Sequence, residues 1–166
     1  MSAGRYYVTT PIYYVSDVPH LGHAYTTIVA DAIARYQRMV RGAERVRFLT
    51  GTDDHGQKIE RIAAERGTDP KSYADKIAAA YQETWRRLGV ENDDFIRTSE
   101  PRHEAVVTEL WSRMVERGDI YLRDYEGWYC VACEQFYLDK ELAEGGVCPV
   151  HRRGVERVKS RNSAVT

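Results

Sequence analysis

Tyr6-Tyr7-Val8-Thr9-Thr10-Pro11, followed after a short loop by Pro19-His20-Leu21-Gly22-His23-Ala24, is the stretch on which the fold turns. Residues 6–10 are aromatic and β-branched, the composition of a strand. Pro11 has no N–H to give to a ladder and ends it. Residues 11–19 read as a loop. From about residue 21 to residue 41 apolar side chains recur at helical spacing. Val29, Ile33, Tyr36 and Val40 fall at i, i+4, i+7 and i+11, which predicts one buried face. Gly42 is placed to cap this helix. Strand, loop and helix in that order open an α/β sheet.

Working outward, residues 46–50 form a second short strand, residues 53–56 a polar turn, and a short helix runs to about Arg66. Asp69 and Pro70 are a helix-start signal, an N-cap followed by proline at the first position. Tyr73, Ile77, Tyr81, Trp85 and Leu88 are the predicted buried stripe of that helix. Residues 95–98 read as a third strand. A helix over about 101–117 is expected to bury Val107, Leu110, Trp111 and Met114, with Gly118 ending it. Strands separated by helices favour a parallel sheet. The character changes after Gly118, where a strand over 120–125 leads into a compact Cys-bearing segment. The chain therefore divides into 1–117, 118–158 and a tail, 159–166.

The 166 residues suffice for one ordinary domain with a small appendage, and the 43% hydrophobic content is that of a globular protein. Twenty-four basic residues nearly balance 25 acidic ones, which argues against gripping nucleic acid by bulk electrostatics. No apolar run approaches the roughly 20 residues of a membrane helix, and the first residues lack a signal core. The expectation is a cytoplasmic protein without a membrane partner.

Three Cys, all between residues 130 and 148, fit a disulfide framework poorly. Cys130-x2-Cys133 and Cys148-x2-His151 instead supply two tight pairs of ligands, the set Zn²⁺ takes in a tetrahedron. Four protein ligands leave no open position for water, so the expected site is structural. Gly145 and Gly146 supply the turn before Cys148. Too few apolar residues surround the site to hold its shape, so metal binding and local folding should be coupled.

His20 and His23 lie three residues apart at a helix N-terminus, on one side of its first turn. That end offers unpaired N–H groups and a partial positive charge, which favour an anion such as a triphosphate. Two imidazoles add donors without permanent charge, and Gly22 removes a side chain from the path of a flat base. Two ordinary surface histidines would satisfy the spacing alone. The context, a helix opening after a strand and loop, is where parallel sheets bind ligands.

Thr10-Pro11-Ile12-Tyr13-Tyr14, Pro19-His20-Leu21-Gly22-His23-Ala24 and Phe48-Leu49-Thr50-Gly51-Thr52-Asp53-Asp54-His55-Gly56 together resemble the start of the methionyl-tRNA synthetases, a family of class I aminoacyl-tRNA synthetases. Gly127-Trp128-Tyr129-Cys130-x2-Cys133 with Cys148-Pro149-x-His151 resembles that family's single zinc knuckle, carried on its connective-peptide insertion. The resemblance implies the N-terminal half of a Rossmann-like, parallel-sheet nucleotide-binding fold followed by the start of that insertion. It implies that His20, Gly22 and His23 bind ATP, brought with Mg²⁺, and that the two histidines stabilise the transition state. Asp53 would hold the α-amino group of methionine, and Ile12 and Tyr14 would line the pocket for its thioether. A turn-capping role for Asp53 and plain loop packing for Ile12 and Tyr14 stay open on the residues alone. An apolar, polarisable thioether does pack well on aliphatic and aromatic surface. Cys130, Cys133, Cys148 and His151 would hold the zinc.

The implied reaction converts methionine and ATP to methionyl-adenylate, then transfers the methionyl group to tRNA(Met). The knuckle would help position the insertion and the acceptor end. The family also needs a half carrying the KMSKS loop. The nearest run here, Lys159-Ser160-Arg161-Asn162-Ser163, lacks its second Lys. The expectation is a truncated or split enzyme, inactive unless a separate C-terminal half is supplied. Two other readings stay open: a small H-x-G-H nucleotidyltransferase, and an inactive zinc-bearing module that binds RNA or a partner through Arg152, Arg153, Arg157, Lys159 and Arg161.

Overall fold

A computed structural model describes residues 4–165, with side chains through residue 159. The chain forms two compact units, residues 1–104 and 105–166.

The first unit is built on β3 (Val46–Asp53). On one edge β3 pairs in parallel with β1 (Tyr6–Thr9) along Val46 to Leu49, and with β2 (Tyr13–Tyr14) at Thr52 and Asp53. On the other edge it pairs in parallel with β4 (Asp94–Arg97) along Leu49 to Thr52. The sheet is parallel, as the alternation of strands and helices predicts. Pro11 does end β1, but the chain returns to the same edge two residues later, so part of the expected loop is strand. Gly51 lies opposite Ile96 of β4, and a Cβ there would land on the Ile96 carbonyl. Relief would need the backbones to separate, so Gly51→Ala is expected to lower stability by about 1–3 kcal/mol. The midpoint of urea denaturation reads this directly, and an unchanged midpoint would contradict it.

Helix α1 (Leu21–Arg41) ends at Gly42, whose φ of +93° a residue with a Cβ adopts only at a cost and whose N–H donates to the Arg38 carbonyl. The predicted buried stripe of α1 is not the one observed. Val29, Ile33, Tyr36 and Val40 are exposed, and the buried face is Thr27, Ala30, Asp31 and Ala34. Ala30 and Ala34 are small enough to bring the helix down onto Val46 and Phe48. Asp31 is tolerated there because it accepts from the Arg35 guanidinium (2.6 Å) and the Glu91 N–H (2.8 Å).

Helix α2 (Gln57–Glu65) and helix α3 (Pro70–Arg87) form the second packing cluster with Tyr13 and Val15. Asp69 caps α3 through Ser72 N–H at 2.9 Å, as its sequence signals. Tyr73, Ile77, Tyr81 and Trp85 are buried as predicted, whereas Leu88, beyond the helix end, is exposed.

Helix α4 (Pro101–Glu116) keeps its predicted bounds almost to the residue but buries nothing. Val107, Leu110 and Trp111 are exposed and Met114 is half-buried. In the second unit β5 (Ile120–Cys130) pairs antiparallel with β6 (Gln135–Tyr137) and with β7 (Glu156–Val165). The segment set apart as a tail therefore continues a paired strand as far as Val165; Thr166 lies outside the described residues. Among the described residues no helix is long and apolar enough to cross a membrane.

Candidate functional site

The carboxyl ends of β1 and β3, the β2 segment and the first turn of α1 all belong to the first unit, and carry every predicted ligand residue outside the metal cluster. His20 is the N-cap of α1, extended at φ −118°. Its ring Nδ1 accepts the Gly22 N–H at 3.0 Å, while its own N–H donates to His23 Nδ1 at 3.1 Å. The two rings stack at 3.8 Å. A Cβ at Gly22 would press on the His20 ring (2.9 Å to Cε1), so the glycine gives that ring its place.

These two bonds fix the tautomers. A ring nitrogen that accepts an N–H carries no proton, so in the neutral form of both histidines the proton is on Nε2. Each imidazole is then an Nε2–H donor at the positive end of a helix. Burial, and secondarily the charge His20 can carry, hold His23 below the usual histidine range. The folded chain thus binds fewer protons than the unfolded one as pH falls below about 6.5. His23 contributes a loss of stability on acidification in that window, not a gain. A proton–nitrogen correlation spectrum should show both rings as Nε2–H, with the His23 midpoint below 6.5; a midpoint above it, or an Nδ1–H signature, would contradict this reading.

Beneath His23 lies an aromatic group that sequence reading did not assign to the site. Tyr13 meets the His23 ring edge-on at 5.0 Å and stacks on Tyr81 at 5.5 Å. The Tyr13 hydroxyl pairs with Thr27 Oγ1 at 2.7 Å. The Tyr81 hydroxyl lies 3.1 Å from His23 Nδ1 and 3.5 Å from Nε2. Burial, then the neighbouring Tyr13 and Asp17, pushes Tyr81 up to about 12, so it stays a neutral phenol. Along Ile12-Tyr13-Tyr14 the side chains alternate: Tyr13 is buried, while Ile12 is exposed and Tyr14 half-buried. Lys58 Nζ lies 5.8 Å from the centre of the Tyr14 ring.

Asp53 ends β3 opposite Tyr14, half-buried. Its Oδ1 accepts from the Thr98 hydroxyl at 3.2 Å. The next residue, Asp54, is buried and held by three donors: Thr52 Oγ1 at 2.8 Å, Arg97 Nε at 2.8 Å and Ser99 Oγ at 2.6 Å. Arg97 also reaches Asp75 at 2.7 Å. Opposed by burial but held by Asp75 and Asp54, its guanidinium is raised above its ordinary range.

In the second unit Cys130, Cys133, Cys148 and His151 come together with their ligand atoms within 4.8 Å of one another. Cys130 ends β5, and a turn with Glu134 at φ +54° leads from Cys133 into β6. The second pair sits on a tight turn in which Arg152 N–H bonds the Cys148 carbonyl and His151 N–H donates to Cys148 Sγ at 3.4 Å. Burial opposes ionisation of Cys148, but the His151 and Val150 N–H groups and its side-chain partners outweigh it and bring the thiol down to about 6. The donor set, spacing and convergence fit one tetrahedral metal ion. The buried residues here are only Cys130, Tyr137 and Cys148, with a few partly buried neighbours.

The parallel sheet, with the predicted ligand residues at its strand ends and a histidine pair opening α1, matches the Rossmann-like catalytic fold of class I synthetases. A leucyl-tRNA synthetase of Agrobacterium radiobacter K84 shares that fold with a TM-score of 0.76 at 20% identity, over 99% of this chain and 21% of that one. The family model described as tRNA synthetases class I (M) matches residues 6–164. Methionine--tRNA ligase of Thermosynechococcus vestitus is 51% identical over 156 residues, 93% of this chain and 29% of that protein. Mycobacterium tuberculosis methionyl-tRNA synthetase, solved in complex with methionyl-adenylate, superposes with a TM-score of 0.89 at 40% identity, covering 97% of this chain and 32% of that one. The chain belongs to the methionyl-tRNA synthetase family. It spans about a third or less of the length of the relatives it matches.

Proposed function

We propose that these residues form the amino-terminal part of a methionine--tRNA ligase active site, which activates methionine with ATP and passes it to tRNA(Met). The observation that carries the reading is the convergence of the histidine turn, the β2 segment and Asp53 at the carboxyl ends of parallel strands. Its kinship to a protein solved with methionyl-adenylate supports methionine and ATP as the ligands.

In this reading the α1 N-terminus and the Nε2–H groups of His20 and His23 bind phosphate oxygens, and strengthen those bonds as charge develops. Asp53 accepts the α-ammonium, and Ile12 and Tyr14 receive the thioether. Methionine's carboxylate attacks the α-phosphorus of ATP, delivered with Mg²⁺; pyrophosphate leaves and methionyl-adenylate forms. The protein's contribution is positioning and charge stabilisation. The tRNA terminal hydroxyl then takes the methionyl group and releases AMP. The lysines of the KMSKS loop, supplied by a C-terminal half, complete the phosphate contacts. Cys130, Cys133, Cys148 and His151 hold a structural Zn²⁺ with no open position, and the reaction belongs in the cytoplasm.

The test is ATP–pyrophosphate exchange by this chain supplied with the remaining portion of a close relative. Methionine-dependent exchange, reduced about a hundredfold or more by His23→Ala, is expected. Exchange that proceeds without methionine would point instead to a nucleotidyltransferase.

A further inference from the structure

We propose that Thr98 is a positioning residue for the Asp53 carboxylate, and so sets how an amino-acid ammonium is received. This rests on the reading of Asp53 as the ammonium acceptor. Thr98 follows β4 and is 8% exposed. Its N–H donates to the Thr52 carbonyl at 3.2 Å, carrying the β3–β4 ladder one residue further. Its hydroxyl accepts the Asp54 N–H at 2.8 Å. With that backbone donor on the oxygen, the hydroxyl's own proton is directed to Asp53 Oδ1 at 3.2 Å.

The support behind it is rigid. Asp54, whose N–H aims the Thr98 hydroxyl, has both carboxylate oxygens bonded, to Thr52 on one and to Arg97 and Ser99 on the other. One hydroxyl therefore bridges a fixed backbone amide and a half-buried carboxylate that would otherwise rotate about its last torsion. It commits one oxygen of Asp53 and presents the other in a defined direction. An ammonium is a directional donor, so a carboxylate free to turn would hold it less well. An apolar or anionic part of a ligand would be indifferent to Thr98. The sequence gives no hint of this role, because Thr98 stands 45 residues from Asp53.

The test compares methionine with its desamino analogue, which keeps the thioether and carboxylate but lacks the amine. Each is titrated by NMR into this chain and into Thr98→Val, Thr98→Ser and Asp53→Asn. Thr98→Val is expected to weaken methionine about tenfold, the scale of one hydrogen bond to a charged group, while the analogue changes less than twofold. Thr98→Ser, which keeps the hydroxyl, should restore methionine binding. Thr98→Ala serves in place of Thr98→Val if the latter does not fold. Equal weakening of both ligands, or no weakening of methionine, overturns the proposal. If Asp53→Asn removes the preference for methionine but Thr98→Val does not, the proposal falls and the reading of Asp53 stands. If the parent chain shows no preference for the amine, both fall.

Discussion

Chelating the zinc proposed at the Cys130–His151 cluster, or replacing Cys148 with serine, is expected to abolish amide protection across residues 126–155 while leaving the sheet of the first unit protected. The knuckle buries only Cys130, Tyr137 and Cys148, two of them in the candidate metal cluster, so little apolar surface would order it without an ion. Structural zinc binding to peptides of this kind is worth about 10–16 kcal/mol, and without a preformed site that energy is the folding energy. The first unit has its own two packing clusters and none of the four residues of the candidate metal cluster. Hydrogen exchange read residue by residue checks this. Protection lost evenly through both units would show that the metal supports the entire chain, contrary to the two-unit organisation.

Arg97→Met is expected to destabilise the first unit by about 3–5 kcal/mol. The Asp54 side chain is 1% exposed, and Arg97 is the cation that pairs with it at 2.8 Å. Removing the guanidinium leaves a buried carboxylate with only the Thr52 and Ser99 hydroxyls. A desolvated charge without its counter-ion costs far more than a broken surface pair, and this sets Arg97 apart from the exposed pairs Lys71–Asp75 and Arg86–Glu83. The double variant Arg97→Met/Asp54→Asn should recover part of the loss, because neither charge then remains. Urea denaturation of the single and double variants measures both effects. A single variant within 1 kcal/mol of the parent would contradict the account.

Strands β1, β3 and β4, the helix bounds and the parallel sheet were legible because they follow from local signals: β-branched runs, Asp69 and Pro70 at a helix start, Gly42 and Gly118 at helix ends. Strands β2, β6 and β7, short or set by pairing with distant strands, were not. The faces of the helices were less so. Large aliphatics at helical spacing marked Val29, Ile33, Tyr36 and Val40 of α1, yet the packed face is the one with Ala30 and Ala34, where small side chains allow close approach. The same preference for large side chains misassigned α4, where Val107, Leu110 and Trp111 are exposed and none of its residues is buried. In the candidate site, His20, Gly22 and His23 stand out in the sequence because they lie within one helical turn. Tyr81, Arg97 and Thr98 could not, since each meets its partner across 43 to 58 residues of chain, and only the pairing of β3 with β4 and the packing of α3 bring them there.

Titration of the chain with a non-hydrolysable analogue of methionyl-adenylate, followed by amide and imidazole NMR, tests the central claim most directly. The account predicts saturable shifts at Ile12, Tyr14, His20, Gly22, His23 and Asp53, with the leucyl counterpart binding markedly more weakly. Shifts confined to other surfaces, or equal affinity for the two analogues, would contradict it.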